Sequence, residues 1–510
     1  MSQTFLNSAN RYLFLLLAAI GLFQPLTAAA KPRHPNIVIL FTDDMGWGDL
    51  QCYNPKGKAP TPHMDRLARE GTLFTDAHSP ASVCTPSRYA LLTGRYCWRS
   101  SLKMGVRQQW EPCLVEKDRL TIGKLMQQHG YTTAAFGKWH LGWTWSTTDG
   151  KIPKPARGGD YRKTIDFSKP ISEGPLSRGF DYFFGIVGNG LSYSSLIENN
   201  QPLFQGKGKP PEISGVSKEL LKEPWNNDRT MPLLNDKVVW YIDLQAKKKA
   251  KQPFLVYYAM TAPHNPIMPY GRFKGATGHG GYCDFVHQLD HCVGQVLAAI
   301  DRNGMADNTM VILTSDNGSP GYWKPGSAVG SINKAAGHAT NGPYRGLKGD
   351  TWEGGHRVPF IVRWPGKVKA GAKDDRLICS VDLMATFAKL VGQKLPRSAG
   401  EDSHDLMPIL TGKSSEPLKR SVTHHSIIGM FAIRKGQWKL ILGNSSGGFS
   451  DGAFKPAPDA PPGQLYNMTD DPYETRNLYH QRPEVVKEMT AKLKKLRELG
   501  RSTRRVQKKS

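Results

Sequence analysis

Apolar residues gather along this chain in short unbroken runs, and each run ends in polar residues. Ile37-Val38-Ile39-Leu40-Phe41 leads into Asp43-Asp44, and Thr132-Thr133-Ala134-Ala135-Phe136 leads into Gly137-Lys138-Trp139-His140. Phe254-Leu255-Val256-Tyr257-Tyr258 leads into Pro263-His264, and Met310-Val311-Ile312-Leu313 into Asp316-Asn317. Runs without polar alternation predict strands covered on both faces, as a parallel sheet requires. Helical patterns lie between them. Residues 61–71 are one case, with Thr61 as N-cap, Pro62 in the first turn and Gly71 as the C-terminal stop. Alternating strands and helices predict a layered, largely parallel α/β sheet, whose ligands bind beyond the carboxyl ends of the strands. All four polar clusters fall there.

Past Gly392 the pattern changes. Strands are predicted over 430–442 and 464–466, with a Gly/Ser/Pro-rich loop over 444–463 and a helix over about 484–499. The expected division is a large domain over 31–392 and a smaller C-terminal α+β subdomain with an antiparallel sheet over 393–510. The Pro-, Gly- and Lys-rich stretches 143–180, 201–230 and 319–343 are too long for connectors and are expected to shape a substrate mouth. Trp323, Lys324, Lys334 and His338 follow Asp316-Asn317 directly and are candidates for a sugar subsite.

Composition narrows the class. A chain of 510 residues, 39% hydrophobic and 22% charged, has the makings of a soluble globular enzyme with a large core. Residues 1–30 carry Arg11, an apolar run over 12–23 and Ala28-Ala29-Ala30, the order of a secretory signal, so the mature chain is expected from Lys31, exported to a periplasm or beyond. A membrane span needs about 20 apolar residues; this run is shorter and Pro25 closes it. The formal net charge of +25 suits an anionic partner. Part of it sits near the C-terminus, at Lys492, Lys494, Lys495, Arg497, Arg504 and Arg505, with no nucleic-acid-binding motif beside it. Of seven cysteines, Cys283 and Cys292 fall nine residues apart in one helical pattern. That spacing sets them ~13 Å apart on opposite faces, too far to bond to each other.

The chemistry begins at Cys84-Thr85-Pro86-Ser87-Arg88, followed by Ala90-Leu91-Leu92-Thr93-Gly94-Arg95. Pro86 suits a first helical turn and Gly94 a helix end, so Cys84 stands at the mouth of a short helix whose N-terminus favours anions. Asp43, Asp44, Asp316 and Asn317 form an all-oxygen donor set, suited to Ca²⁺ or Mg²⁺ rather than zinc. Arg88, Lys138, His140, His264 and Lys348 are candidate donors to an anionic ester.

The strings C-T-P-S-R and L-T-G-R, with G-K-W-H-L-G at 137–142, T-A-P-H at 261–264 and G-L-K-G-D-T-W-E-G-G at 346–355, resemble type I, formylglycine-dependent, arylsulfatase-like sulfatases. The resemblance spans roughly residues 35–365 and implies an alkaline-phosphatase-like layered fold. It implies that Cys84 is oxidised by a maturation enzyme to formylglycine (3-oxoalanine), whose hydrate attacks the sulfur of a sulfate ester. The family's metal ligands fall on Asp43, Asp44, Asp316 and Asn317, with modified Cys84 adding an oxygen and Ca²⁺ the usual ion. Asp316 is implied as base, Arg88 as holder of the hydrate, Lys138 and Lys348 as sulfate grips, His264 as acid toward the leaving alcohol and His140 as base in sulfate expulsion. Glu353 and Arg357 belong to the match as supporting residues; His356 has no implied role. A sulfated carbohydrate is the expected substrate, and a phosphonate or phosphodiester hydrolase or a non-catalytic sulfated-glycan binder are the rival readings.

Overall fold

The structure is a computed structural model that describes residues 34–151, 161–188, 195–248, 252–321, 337–452 and 456–503. The signal segment 1–30, Trp323, Lys324, Lys334, Arg504 and Arg505 lie outside the described residues. In chain order the strands up to residue 379 are β1 (Asn36–Asp43), β2 (Thr72–Phe74), β3 (Ala77–His78), β4 (Thr132–Lys138), β5 (Tyr182–Ile186) and β6 (Ser195–Glu198), then β7 (Gln201–Gln205), β8 (Phe254–Pro263), β9 (Thr309–Ser315), β10 (Phe360–Arg363), β11 (Ala372–Asp374) and β12 (Ile378–Cys379). β3 and β12 pair with each other, and the other ten form one sheet in the order β11-β2-β10-β9-β1-β8-β4-β5-β6-β7. Its centre, β9-β1-β8-β4-β5, is wholly parallel. Antiparallel pairs join β10 to β9 on one flank and β6 to β5 on the other.

Both faces of that centre are covered, as the unbroken apolar runs require. Ile37, Ile39 and Phe41 of β1 pack with residues of α2 (Cys84–Thr93), α3 (Ile122–Gln128) and α6 (Leu383–Leu390). The alternate residues Val38 and Leu40 pack with α1 (Pro62–Glu70), α4 (Thr230–Lys247) and α5 (Gly281–Arg302). Helix, sheet and helix therefore form three layers. A second, antiparallel sheet runs β13 (Val422–His425), β14 (Phe431–Lys435), β15 (Trp438–Ile441) and β16 (Gln464–Asn467). α7 (Pro483–Glu498) lays Met489, Leu493 and Leu496 on its Ile433, Leu440 and Leu465.

Two local readings of α1 change. The Thr61 hydroxyl does not cap the helix; the Asp290 carboxylate of α5 accepts from the N–H groups of His63 (3.0 Å) and Met64 (2.8 Å). Gly71 is not left-handed, with φ −138°, and is needed because a Cβ there would lie 2.3 Å from the Val362 carbonyl oxygen. Gly94, by contrast, does close α2 in the left-handed region, φ 65°, its N–H donating to the Ala90 carbonyl. All seven cysteines are free thiols, and no helix among the described residues is long and apolar enough to cross a membrane.

Candidate active site

Because β9, β1, β8 and β4 are parallel neighbours, their carboxyl ends share one edge, and the register decides what meets there. Thr42 opposite Ser315 sets Asp43-Asp44 beside Asp316-Asn317. The chain turns at Asp44 with φ 69°, a left-handed conformation uncommon outside glycine. Its N–H donates to Asp316 Oδ1 (3.1 Å), while the Asp316 N–H donates to the Thr42 carbonyl (3.1 Å). Three carboxylates are thus held together out of water.

Three cations answer them. Lys138 Nζ lies 2.7 Å from Asp43 Oδ2, and Lys348 Nζ pairs with Asp44 Oδ1. Arg88, reaching up from α2, places Nη2 2.7 Å from Asp316 Oδ2 and 3.5 Å from Asp43 Oδ1, and donates from Nη1 to the Lys138 carbonyl (3.0 Å). Burial opposes ionisation of Asp43, but Lys138, His264, Arg88 and Lys348 together hold its carboxyl well below the usual range. Burial and the neighbouring Asp43 charge instead push Asp316 up to about 7. Neighbouring buried carboxylates resist joint ionisation unless further positive charge joins them.

The donor chemistry fits a hard divalent cation. Oδ1 of Asp43 and Oδ1 of Asn317 are buried and accept no hydrogen bond, although Asn317 Nδ2 is engaged with Asp44 Oδ1 (2.8 Å). Buried acceptors are ordinarily satisfied, so two orphaned oxygens in one cluster point to a ligand between them. Ligand atoms of Asp43, Cys84 and Asp316 lie within 4.8 Å of one another, as do those of Asp43, Asp44 and His264. Cys84 opens α2 with Val83 offering no side-chain cap, which leaves the first-turn N–H groups of the helix for this edge. Burial, with Asp316 and Asp43 adding to it against Lys138 and Lys348, pushes the Cys84 thiol up; it is not a ready thiolate.

The two histidines flank the cluster from different strands. His264 follows β8; its Nδ1 lies 2.6 Å from the Asn265 carbonyl and its Nε2 3.6 Å from Asp44 Oδ2. Burial lowers its pKa to about 4, against the pull of Asp44. His140 sits beyond β4 at φ 53°, its N–H donating to the Val187 carbonyl (3.0 Å). Its Nδ1 is buried without a partner, and burial beside Lys138 and Arg88 holds it neutral. Thr85 ties this loop to α2, donating its hydroxyl to the His140 carbonyl (2.9 Å). Gly137 makes the approach feasible, with φ 88° and a Cβ position 1.9 Å from the Ala259 carbonyl oxygen.

Every residue put forward for catalysis or metal binding therefore meets at one edge. His338 does not join them. Its ring is buried, with Nε2 2.9 Å from Asp49 Oδ1 and Nδ1 accepting from the Lys58 N–H, so it lines no sugar subsite. Glu353, His356 and Arg357 belong to a second buried cluster whose other members the motif reading missed. His78 Nδ1 meets His356 Nδ1 (3.0 Å), His78 Nε2 meets Asp76 (2.8 Å), and Lys439 of β15 bridges Glu353 and Glu474 at 2.8 Å each. The signal for them was a lone charge in an apolar strand, Lys439 between Trp438 and Leu440.

Comparison with known proteins places this edge in context. The sulfatase family model matches residues 35–393, and the model of the C-terminal region of N-sulphoglucosamine sulphohydrolase matches 348–499. An N-acetylgalactosamine-6-O-sulfatase of Bacteroides thetaiotaomicron is 32% identical over 91% of this chain and 93% of its own. Human arylsulfatase A is 32% identical over 92% and 87%. A solved sulfatase from Bacteroides thetaiotaomicron, from work on the metabolism of multiple glycosaminoglycans, superposes with a TM-score of 0.75 at 30% identity, covering 91% of this chain and all of that one. The chain is an enzyme of the sulfatase family.

Proposed function

We propose that this sulfatase hydrolyses O-sulfate esters of carbohydrates, using formylglycine made from Cys84 and one divalent cation, Ca²⁺ or Mg²⁺, held by Asp43, Asp44, Asp316 and Asn317. The observation that carries the reading is Cys84 at the head of α2 among three buried carboxylates, where two buried oxygens, Asp43 Oδ1 and Asn317 Oδ1, accept no hydrogen bond. The carbohydrate rests on the relative that acts on N-acetylgalactosamine 6-sulfate and on the +25 charge, which favours polyanionic sugars over neutral sterol-like bodies. The segment 1–30 supports export, with maturation of Cys84 by a dedicated enzyme on the way.

The cation would neutralise the carboxylates and polarise a sulfate oxygen. Lys138 and Lys348, beside Asp43 and Asp44, would hold the remaining sulfate oxygens, and Arg88 would fix the hydrated side chain of residue 84. Asp316 takes the proton from the attacking hydroxyl. His264 then protonates the departing sugar oxygen. It is neutral in the free site, and the negative charge of an arriving ester raises its pKa toward the protonated form. His140, buried and neutral, removes the proton of the second hydroxyl, and sulfate leaves. A thiol has no second hydroxyl and cannot complete that step, so Cys84 must be converted.

The test is the mass of the peptide carrying residue 84 in active protein, together with turnover on defined sulfated mono- and oligosaccharides. Formylglycine at 84 and sulfate release from sugars are the expected results. Fully active enzyme with only unmodified Cys84 would overturn the nucleophile.

A further inference from the structure

The cationic excess of the C-terminal half has a place in the fold away from the catalytic edge. A groove of about 1710 Å³ runs between α6, residues 393–405, the β14–β15 hairpin and α7, and no residue of the catalytic cluster lines it. Pockets for single small ligands hold about 300–1,000 Å³, so this space suits a segment of a longer molecule. Its buried part carries two guanidiniums with unused donors. Arg420, its side chain 1% exposed, pairs with Asp382 and leaves Nε and Nη2 without a partner. Arg434 donates from Nε to the Gly436 carbonyl (2.8 Å), faces Asp76 at 3.5 Å, and leaves Nη1 without a partner.

The rim adds charge. Lys389, Lys394 and Lys419 are exposed, line the groove and form no ion pair among the described residues. Half-buried Trp438 and exposed Gln437 also line the groove, offering an aromatic ring and an amide. The buried guanidiniums add positive potential beneath the groove, the lysines attract oxyanions as point charges, and the indole with its neighbouring amide suits a sugar face. We propose that this groove is an accessory binding site for a sulfated polysaccharide chain, separate from the catalytic pocket. The inference rests on the sulfated-carbohydrate reading for its ligand class, but its binding step needs no turnover.

Three exposed lysines acting together are enough for roughly a tenfold change in such a contact. The experiment uses the full mature protein and three probes: dextran sulfate, unsulfated dextran and duplex DNA. The triple variant Lys389→Glu, Lys394→Glu, Lys419→Glu is set against Lys218→Glu, Lys247→Glu, Lys248→Glu, which alters exposed lysines outside the groove by the same charge. We expect the groove variant to bind dextran sulfate about tenfold more weakly at physiological salt and the control to stay within about twofold of wild type. Unsulfated dextran should bind none of them, and DNA should not discriminate between the two variants. Turnover of a small aryl sulfate and melting temperature should be unchanged throughout. The milder Lys→Gln triple should shift affinity in the same direction by less.

Equal losses in both charge-reversed variants would show diffuse charge alone and overturn the site. A groove-dependent loss of DNA binding as large as that of dextran sulfate would overturn the polysaccharide assignment. Failure of sugar-sulfate turnover with the groove dependence intact would remove the proposed substrate and leave the accessory site standing.

Discussion

Two buried charge clusters lie at either end of the segment from β3 to α2, and they are made of similar parts. The one proposed as catalytic sets Asp43, Asp44 and Asp316 against Lys138, Lys348 and Arg88. The other sets Asp76, Glu353 and Glu474 against Arg357, Arg434 and Lys439, with His78, His356 and His424 between them. In the second cluster both oxygens of Glu353 and of Glu474 meet a cation or an N–H within 2.9 Å, and Asp76 faces Arg434 at 3.5 Å. Glu353 meets Lys439 at 2.8 Å and Arg357 at 2.9 Å, Glu474 takes Lys439 on one oxygen and the Glu353 N–H on the other, and His356 stacks on His424 at 3.7 Å. Its charge is consumed internally, and what it does is fasten β13 and β15 of the small sheet to the loop that carries Lys348. In the catalytic cluster Asp43 Oδ1 and Asn317 Oδ1 remain without a hydrogen bond. Charge balance is common to both. What differs is Asn317 Oδ1, a buried acceptor with neither hydrogen bond nor ion pair, which belongs to the proposed cation site.

The widest gap between them should appear on removing one carboxylate from the catalytic cluster. Asp316→Asn, or Asp43→Asn, is expected to lower turnover about a thousandfold and divalent-cation content in parallel. Elemental analysis of purified protein beside aryl sulfate kinetics reads both. A variant that keeps its metal and rate but melts early would mean that this cluster is structural, like its neighbour.

The histidines sharpen the contrast within the catalytic edge. His264→Ala should cost about a hundredfold or more on a sugar sulfate, whose leaving alcohol needs a proton, and far less on an activated aryl sulfate. His140→Ala acts after the alcohol has left, so it should lose steady turnover on both substrates while still releasing about one alcohol per site in a burst. Equal losses on both substrates for both variants, with no burst, would dissolve the assignment.

The second cluster should answer in stability instead. Lys439→Met strips Glu353 and Glu474 of their shared cation, and breaking a buried pair costs about 3–5 kcal/mol. Thermal melting should fall accordingly, while kcat/KM of the folded fraction on an aryl sulfate stays within about threefold. A rate loss matching that of Asp316→Asn would place Lys439 in the chemistry.

The sequence exposed these two regions unequally, for a physical reason. The residues proposed for catalysis follow apolar runs directly, as Asp43 follows Ile37-Val38-Ile39-Leu40-Phe41, so strand ends announce them. Parallel pairing then brings four such ends to one edge. The second cluster draws Asp76, Glu353, Lys439 and Glu474 from nearly four hundred residues of chain, each ordinary where it stands, and only tertiary packing joins them. The same limit hid the cap of α1, which comes from Asp290 on another helix, and the burial of His338 against Asp49. Gly71 read as a stop because a close backbone contact with Val362 leaves no trace in a local pattern.

The smallest expected effect is a pH slope confined to the second cluster. Burial, with the Glu353 charge adding to it against Lys439, raises Glu474 to about 7. The folded state then holds a proton that the unfolded state, with glutamate near its ordinary value of about 4.3, has already released. Stability from this group is complete below that ordinary value and falls as pH rises through about 7, because the unfolded chain binds fewer protons there. Glu474→Gln removes the titration, and its amide oxygen can still accept the Glu353 N–H. Measured by melting from pH 5 to pH 8, the wild type should therefore lose ground to the variant by about 2 °C. The catalytic rate on an aryl sulfate should show no corresponding difference between the two proteins. Parallel melting curves across that range would mean that Glu474 stays ionised in the fold, with Lys439 outweighing its burial, and the cluster would then hold three full negative charges at neutral pH.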